Sequence, residues 1–263
     1  MEKIGNILID KMIDRALNYK NESDMDYFLN LMYLGEMLTK YTSVSIISGL
    51  INDSNRTKYS HFCQIVRADG IGEWSRILDE ILIGPSNHLV MLEMQAIVKE
   101  LNISESKGNW VYECVSTLRE CLLIIGEDVE PLQNKIPLRT WFHLFTRLRN
   151  KTRGHGAHRT EIISKLCPYL EESLSCLLKN FTLFKVETLY LFRNLSGRYR
   201  IAHIASSSDR FDYLKSSEGQ KHAYENGIYI FINTLVKIEL IETDLDLTDF
   251  LLPNGSFTKK TFE

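Results

Sequence analysis

The sequence predicts a mainly α-helical protein that ends in a small antiparallel β-rich part. Apolar residues recur at intervals of three and four through most of the first 180 residues, which is the spacing of a buried helix face. After residue 180, β-branched and aromatic residues alternate partially between Ser-, Asp- and Gly-rich segments, which is typical of short strands. We therefore expect a helical domain over residues 1–180 and a small β-rich subdomain with a loose tail over residues 181–263.

The apolar periodicity predicts about seven or eight helices and no strand before residue 180. Ser23 or Asp24 is expected to cap the second helix, and Pro168 to kink the last one or to start a new first turn. The predicted helices cover residues 2–19, 26–51, 58–67, a stripe that restarts at Trp74, 88–102, 109–125, a segment after Pro137 that carries Trp141 to Leu148, and 160–179. The predicted strands cover residues 183–191, 199–204, 227–232 and 235–241.

Glu36 and Lys40 lie four residues apart in the second predicted helix. A glutamate that precedes a lysine by four residues stabilises a helix modestly, so we expect a structural ion pair. A role of Glu36 in a functional site is the alternative.

Composition and charge limit the classes of function. Of the 263 residues, 44% are hydrophobic and 25% charged, as in an ordinary soluble globular protein with a sizeable core. The net charge of −3 argues against a surface coated with nucleic acid but allows a local basic site. No segment offers about 18 uninterrupted apolar residues, and the first residues lack the layout of a signal peptide. We expect a cytoplasmic protein that does not enter a membrane.

The five cysteines are scattered among apolar residues and form no Cys-x-x-Cys pair, which predicts reduced core thiols. No His, Asp or Glu spacing resembles a metal-ligand set, so we expect neither a metal nor another cofactor. The cysteines are Cys63, Cys114, Cys121, Cys167 and Cys176.

The polar run over residues 149–159 is the candidate functional segment. It contains seven Arg, Lys, His or Asn residues among eleven and no apolar residue larger than alanine. Leu144, Phe145 and Leu148 precede it at helical spacing, so a buried helix is expected to deliver its polar end into this segment. Gly154 and Gly156 then allow the chain to leave the helix and to return His155 toward Arg149.

The chemistry of this run suits a phosphodiester. Arg149 offers a guanidinium that is always charged, His155 an imidazole that titrates near neutrality, and Asn150 a carboxamide that can orient either one. From composition alone, a basic, solvated loop after a helix is the simpler interpretation.

Five residues, of which Asn150 is the first, separate Arg149 from His155. This pattern resembles the Arg-x(4–6)-His motif of the HEPN superfamily. A polar residue directly after the arginine is a habit of that family. The resemblance covers about residues 25–180, and its specific motif is confined to residues 149–155. It implies a HEPN-like helical bundle with extra N-terminal helices.

The resemblance also implies a function. HEPN ribonucleases cleave RNA without a metal ion, as homodimers in which two copies of the motif face each other. His155 would then transfer protons, Arg149 would stabilise charge on phosphorus, and Asn150 would fix the geometry. The tyrosine that follows the histidine by two residues in one toxin branch is missing here, so that branch's control by nucleotide attachment is not expected.

Four further residues of the run are expected to support RNA binding. They are Lys151, Arg153, His158 and Arg159. His158 is also an outside candidate for a second proton carrier, whereas the remaining five histidines have no partner that the sequence identifies.

Two other classes of function stay open. A catalytically inactive HEPN-like module could serve dimerisation or sensing in a defence or signalling complex, with the β-rich part reading a regulatory protein or ligand. A plain helical adaptor is the third class.

Overall fold

The computed structural model describes residues 1–68, 70–153 and 160–238. It confirms a mainly α-helical protein with a small antiparallel sheet near the C-terminus. Eight α-helices lie in the described ranges: α1 (Ile7–Tyr19), α2 (Asp24–Ser48), α3 (Thr57–Arg67), α4 (Ile71–Ile83), α5 (Gln95–Asn102), α6 (Trp110–Ile124), α7 (Arg139–Arg153) and α8 (Thr160–Asn180).

The first helix starts later than predicted, so the prediction is wrong for residues 2–6. Gly5 has a φ of 81°, a left-handed conformation that a helix does not contain. Asn6 is extended and its side chain accepts hydrogen bonds from the backbone amides of Leu8 and Ile9 at 3.1 and 3.3 Å. This cap fixes the start of α1 at Ile7.

Helix α2 is the central helix, and it is buried on almost every side. Ser23 caps it through a 3.2 Å hydrogen bond from the amide of Asp26, so one of the two predicted caps is confirmed. Two of its buried polar residues are satisfied within the helix: Thr39 and Thr42 donate to the carbonyl oxygens four residues earlier, at 2.9 and 2.8 Å.

Helix α7 approaches α2 closely because α2 carries a glycine at the crossing. A Cβ atom built on Gly35 would lie 2.2 Å from Cε2 of Phe145, so the ring occupies the space that a side chain would fill. Phe145 stacks on Trp141 with ring centroids 5.1 Å apart. Trp141 in turn donates from Nε1 to Oγ of Ser173 at 2.8 Å, which ties α7 to α8.

Helix α8 continues through Pro168, which therefore starts no new helix. Ser173 on α8 donates to the carbonyl oxygen of Cys114 on α6 at 2.8 Å. The three helices α6, α7 and α8 are thus joined by buried hydrogen bonds as well as by apolar packing.

Two short strands lie where none was expected. The predicted loop after residue 103 contains β1 (Ser104–Ser106), which pairs antiparallel with β2 (Lys135–Pro137). Three-residue strands are too short to show an alternating pattern in the sequence. The predicted helix over residues 88–102 is also shorter, because 3₁₀ turns at Pro85–Leu89 and Leu92–Met94 precede α5.

The C-terminal sheet has four antiparallel strands; the first and third in chain order lie side by side at its centre, and the second and fourth form its edges. The predicted strand over 227–232 is confirmed, whereas residues 183–185 belong to a 3₁₀ turn and the first strand begins only at Thr188. Residues 239–241 of the fourth predicted strand and the predicted loose tail lie outside the described residues. The strands are β3 (Thr188–Arg193), β4 (Tyr199–Ala205), β5 (Gly227–Ile232) and β6 (Thr234–Lys237).

One face of the sheet packs on the helices. Ile228, Ile230 and Val236 belong to the same apolar core as α2, α6, α7 and α8. The Tyr41 hydroxyl on α2 lies 3.2 Å from Oγ1 of Thr188 on β3, a buried hydrogen bond between the two parts. The apolar core therefore runs across residue 180, where the composition of the sequence changes.

Candidate functional site

Helix α7 ends in the candidate segment, as the sequence predicts. Trp141, Phe142, Phe145 and Leu148 are buried on its inner face. Arg149, Asn150 and Lys151 lie in its last turns. Arg153 is the last residue of the helix, while His155, His158 and Arg159 lie outside the described residues. The site therefore rests on Arg149, Asn150 and their surroundings.

Arg149 is held by Glu36 of α2. Its Nε donates to Oε1 of Glu36 at 2.9 Å, and the two side chains are 26% and 14% exposed. The pair follows from the helix crossing, because Glu36 is adjacent to Gly35 and Arg149 lies one turn after Phe145. A charge-assisted hydrogen bond at Nε fixes the plane of the guanidinium.

Asn150 lies on the exposed side of the same turn. Nη1 of Arg149 is 3.5 Å from Oδ1 of Asn150, at the long limit of a hydrogen bond. Two of the three residues proposed for catalysis thus lie together at the end of α7. Together they could bind one phosphate oxygen from Nη of the arginine and orient a second group through the carboxamide.

The sequence did not identify the pairing of Glu36 with Arg149, although it raised a site role for Glu36 as an alternative. The only signal for it was Gly35, a glycine inside an otherwise apolar helix, which indicates close packing. Lys40, one turn further along α2, lies over the ring of Trp74 with Nζ 5.5 Å from the centroid. It brings a further cation to this side of α2.

Lys151 faces a different carboxylate. Its Nζ lies 3.0 Å from Oε1 of Glu127, and Arg147 donates to Oε2 of the same residue at 3.1 and 2.8 Å. The hydrogen bonds from Lys151 and Arg147 hold the pKa of Glu127 below its ordinary value. The predicted support residue Lys151 is therefore part of an ion-pair cluster on the outer side of α7.

A groove of about 560 Å³ opens beside Asn150. It lies between the end of α3 and the start of α4, two helices that the sequence did not connect with the candidate segment. Its volume is in the range of about 300 to 1,000 Å³ that is common for ligand sites. The lining includes Gln64, Arg67, Gly70, Gly72, Glu73 and Asn150.

The histidines that the structure describes have local partners that the sequence did not reveal. His61 is buried against Ser86, with Nε2 and Oγ 3.0 Å apart, and its burial lowers its pKa. Nε2 of His143 lies 3.2 Å from Oδ1 of Asp79, which also accepts from Arg139 at 2.9 Å. His203 lies 3.8 Å from Glu187 in the sheet. None of these three histidines lines the groove beside Asn150.

The thiols are in the reduced form in this structure. Burial raises the pKa of Cys167 to about 12 and that of Cys121 further. These two thiols are therefore protonated near neutrality, as expected of core residues. Within the described ranges, no group of three His, Cys, Asp or Glu residues is arranged to hold a metal ion.

No helix among the described residues is long and apolar enough to cross a membrane. Comparisons with protein-family models, with curated proteins and with solved structures give no match for this chain. The resemblance to HEPN proteins therefore continues to rest on the residues of the motif, and the case for a function rests on the geometry of the site.

Proposed function

We propose that the protein is a metal-independent endoribonuclease of HEPN type, acting as a toxin or defence nuclease of the kind found in prokaryotes. One observation carries the proposal: Glu36 fixes the guanidinium of Arg149 beside Asn150 at the end of α7, next to an open groove. In the sequence, His155 follows Arg149 by six residues.

The reaction needs one proton acceptor and one proton donor. His155 removes the proton of the 2′-hydroxyl, the O2′–P bond forms, and the P–O5′ bond breaks. The departing O5′ takes a proton from an acid, which leaves a 2′,3′-cyclic phosphate and a 5′-hydroxyl. Arg149 neutralises the charge that develops on the equatorial oxygens, and Asn150 orients the phosphate or the imidazole.

A single histidine cannot be base and acid in the same step. A homodimer that brings two copies of the motif to one cleft supplies both, so the proposed active form is a dimer with a composite site. Arg153, His158 and Arg159 would support RNA binding around that cleft, and Lys151 would do so only if it leaves Glu127.

The direct test is cleavage of end-labelled single-stranded RNA in the presence of a chelator. We expect cyclic-phosphate ends from the wild-type protein and loss of cleavage in His155→Ala and Arg149→Ala. Arg147→Ala is the matched control, because Arg147 lies on the same helix but binds Glu127. The nuclease proposal is rejected if neither the wild-type protein nor His155→Ala cleaves structured or unstructured RNA.

The second candidate is a catalytically inactive dimerisation or sensor module, with the β-rich part binding a regulatory protein or ligand. The partly buried ion pair of Arg149 favours it, because such a pair stabilises a helix contact without any catalysis. In that case Arg149→Ala lowers the free energy of unfolding and changes no RNA-dependent signal. A protein that stays monomeric at all concentrations would exclude the composite site and leave the plain helical adaptor.

A further inference from the structure

One arginine that lines the groove beside Asn150 has no ion pair with any residue in the described part of the chain. Arg67 is exposed at the C-terminal end of α3 and lines this groove. It makes no hydrogen bond or ion pair with any residue in the described part of the chain. A guanidinium in this state is available to a ligand that reaches the groove.

The one other charged residue of the described groove lining, Glu73, already has an ion pair. Glu73 accepts from Nε of Arg76 at 3.0 Å, and Arg76 also donates to Glu80 at 3.0 Å. The same arginine donates to Oε1 of Gln64 at 3.1 Å, which fixes the amide at the groove edge. Arg67 is therefore the uncompensated charge of the described lining.

The start of α4 lies beside this groove. Gly70 caps the helix without a side-chain hydrogen bond, and Glu73 adds a carboxylate to the first turn, so the helix end itself contributes little net positive charge. Thr146 of α7 lies close to Gly72, since a Cβ there would be 3.8 Å from its Cγ2. Its Oγ1 is buried and has no hydrogen-bond partner.

We propose that Arg67 binds a backbone phosphate of the RNA strand that flanks the scissile phosphate, with the strand running from Arg149 and Asn150 along this groove. The inference rests on the proposed ribonuclease function and extends it, because it adds a positioning residue from α3 and gives the path of the strand. The open, polar groove suits a charged, solvated backbone better than an apolar ligand.

The test measures binding separately from cleavage. Full-length His155→Ala protein, which leaves the RNA intact, is titrated with fluorescent single-stranded RNA at several salt concentrations. Arg67→Ala should weaken binding about fivefold at low salt and reduce the salt slope by about 0.7, the value for one phosphate contact on a single strand. Arg67→Lys should keep the slope, because the charge remains.

Arg200→Ala is the matched control, because Arg200 is also exposed and lies on β4 of the sheet, away from the lining of the groove. Unchanged affinity and unchanged slope in Arg67→Ala overturn the inference, as does an equal loss in Arg200→Ala. If wild-type protein binds but never cleaves, and Arg67→Ala lowers the slope, the binding role stands while the nuclease proposal fails. If wild-type protein cleaves and Arg67→Ala matches it in affinity and slope, only this inference fails.

Discussion

Two carboxylates bind the last turns of α7, and they are held in different ways. Glu36 accepts a hydrogen bond from Nε of Arg149, and these two side chains are 14% and 26% exposed. The pair lies beside the helix crossing at which Phe145 packs on Gly35. Glu127, which is 17% exposed, accepts hydrogen bonds from Arg147 and Lys151, whose side chains are 42% and 46% exposed. Its two cations are thus open to solvent, and water and salt compete with such pairs.

This difference in exposure affects how firmly the guanidinium of Arg149 is oriented. The cluster on Glu127 can rearrange at little cost, since either cation can leave for water. Glu36 is partly buried beside the closed helix crossing and accepts from Nε of Arg149, which restrains the guanidinium when no ligand is present. A binding group that is oriented in advance loses less entropy when it meets its ligand.

The largest change in stability is expected from a substitution at the crossing of α2 and α7. Gly35→Ala places a methyl group 2.2 Å from a ring that is fully buried and stacked on Trp141. We expect a loss of about 1–3 kcal/mol in the free energy of unfolding, measured by urea denaturation. If the nuclease proposal is correct, RNA cleavage should fall further than the folded fraction, because Glu36 and Arg149 are displaced.

Gly72→Ala is the control for that substitution. It adds the same methyl group to a helix, but the nearest atom there is Cγ2 of Thr146 at 3.8 Å, an ordinary contact. We expect unchanged stability or a gain of about 0.4–1 kcal/mol. Equal losses in the two variants would show that the close approach of α7 to α2 does not determine stability.

A smaller effect is expected from removing each carboxylate. Glu36→Ala should cost about 1–2 kcal/mol, more than an exposed pair and less than a fully buried one. Glu127→Ala should cost less than Glu36→Ala, because water and salt compete with its ion pairs. If the nuclease proposal is correct, Glu36→Ala also lowers kcat about 10- to 100-fold, because a displacement near 1 Å is enough for that loss, while Glu127→Ala leaves kcat unchanged. Similar kcat values in the two variants would remove the positioning role of Glu36.

The sequence predicted the helices that form this crossing but not the contacts between them. The apolar stripe of α7 and the nearly continuous apolar runs of α2 and β5 predict these elements close to their observed positions, because α7 buries one face whereas α2 and β5 are buried on more than one. The sequence placed Arg149 and Asn150 at the end of a buried helix, and the structure agrees. The membership in the HEPN superfamily and the role of His155 stay predictions.

What the sequence missed depends on contacts between distant segments. Glu36 and Arg149 are 113 residues apart, and no local pattern pairs them. The groove joins Arg67 of α3 to Asn150 of α7 through the packing of α4, which only the folded chain shows. The strands β1 and β2 are each three residues long, so their pairing follows from the geometry of the surrounding helices more than from propensity.

The smallest expected effect is the pH dependence of the contribution that Glu127 makes to stability. The hydrogen bonds of Lys151 and Arg147 lower the pKa of Glu127 from its ordinary value of 4.5. Its stabilising contribution is therefore complete above about pH 4.5 and is lost as the pH falls through the lowered value in the folded protein. Glu127→Gln should then lower Tm slightly at pH 7 and not at all once the pH is below both values. A Tm difference that stays constant from pH 7 to strongly acidic pH would show that Glu127 acts through packing and not through its charge.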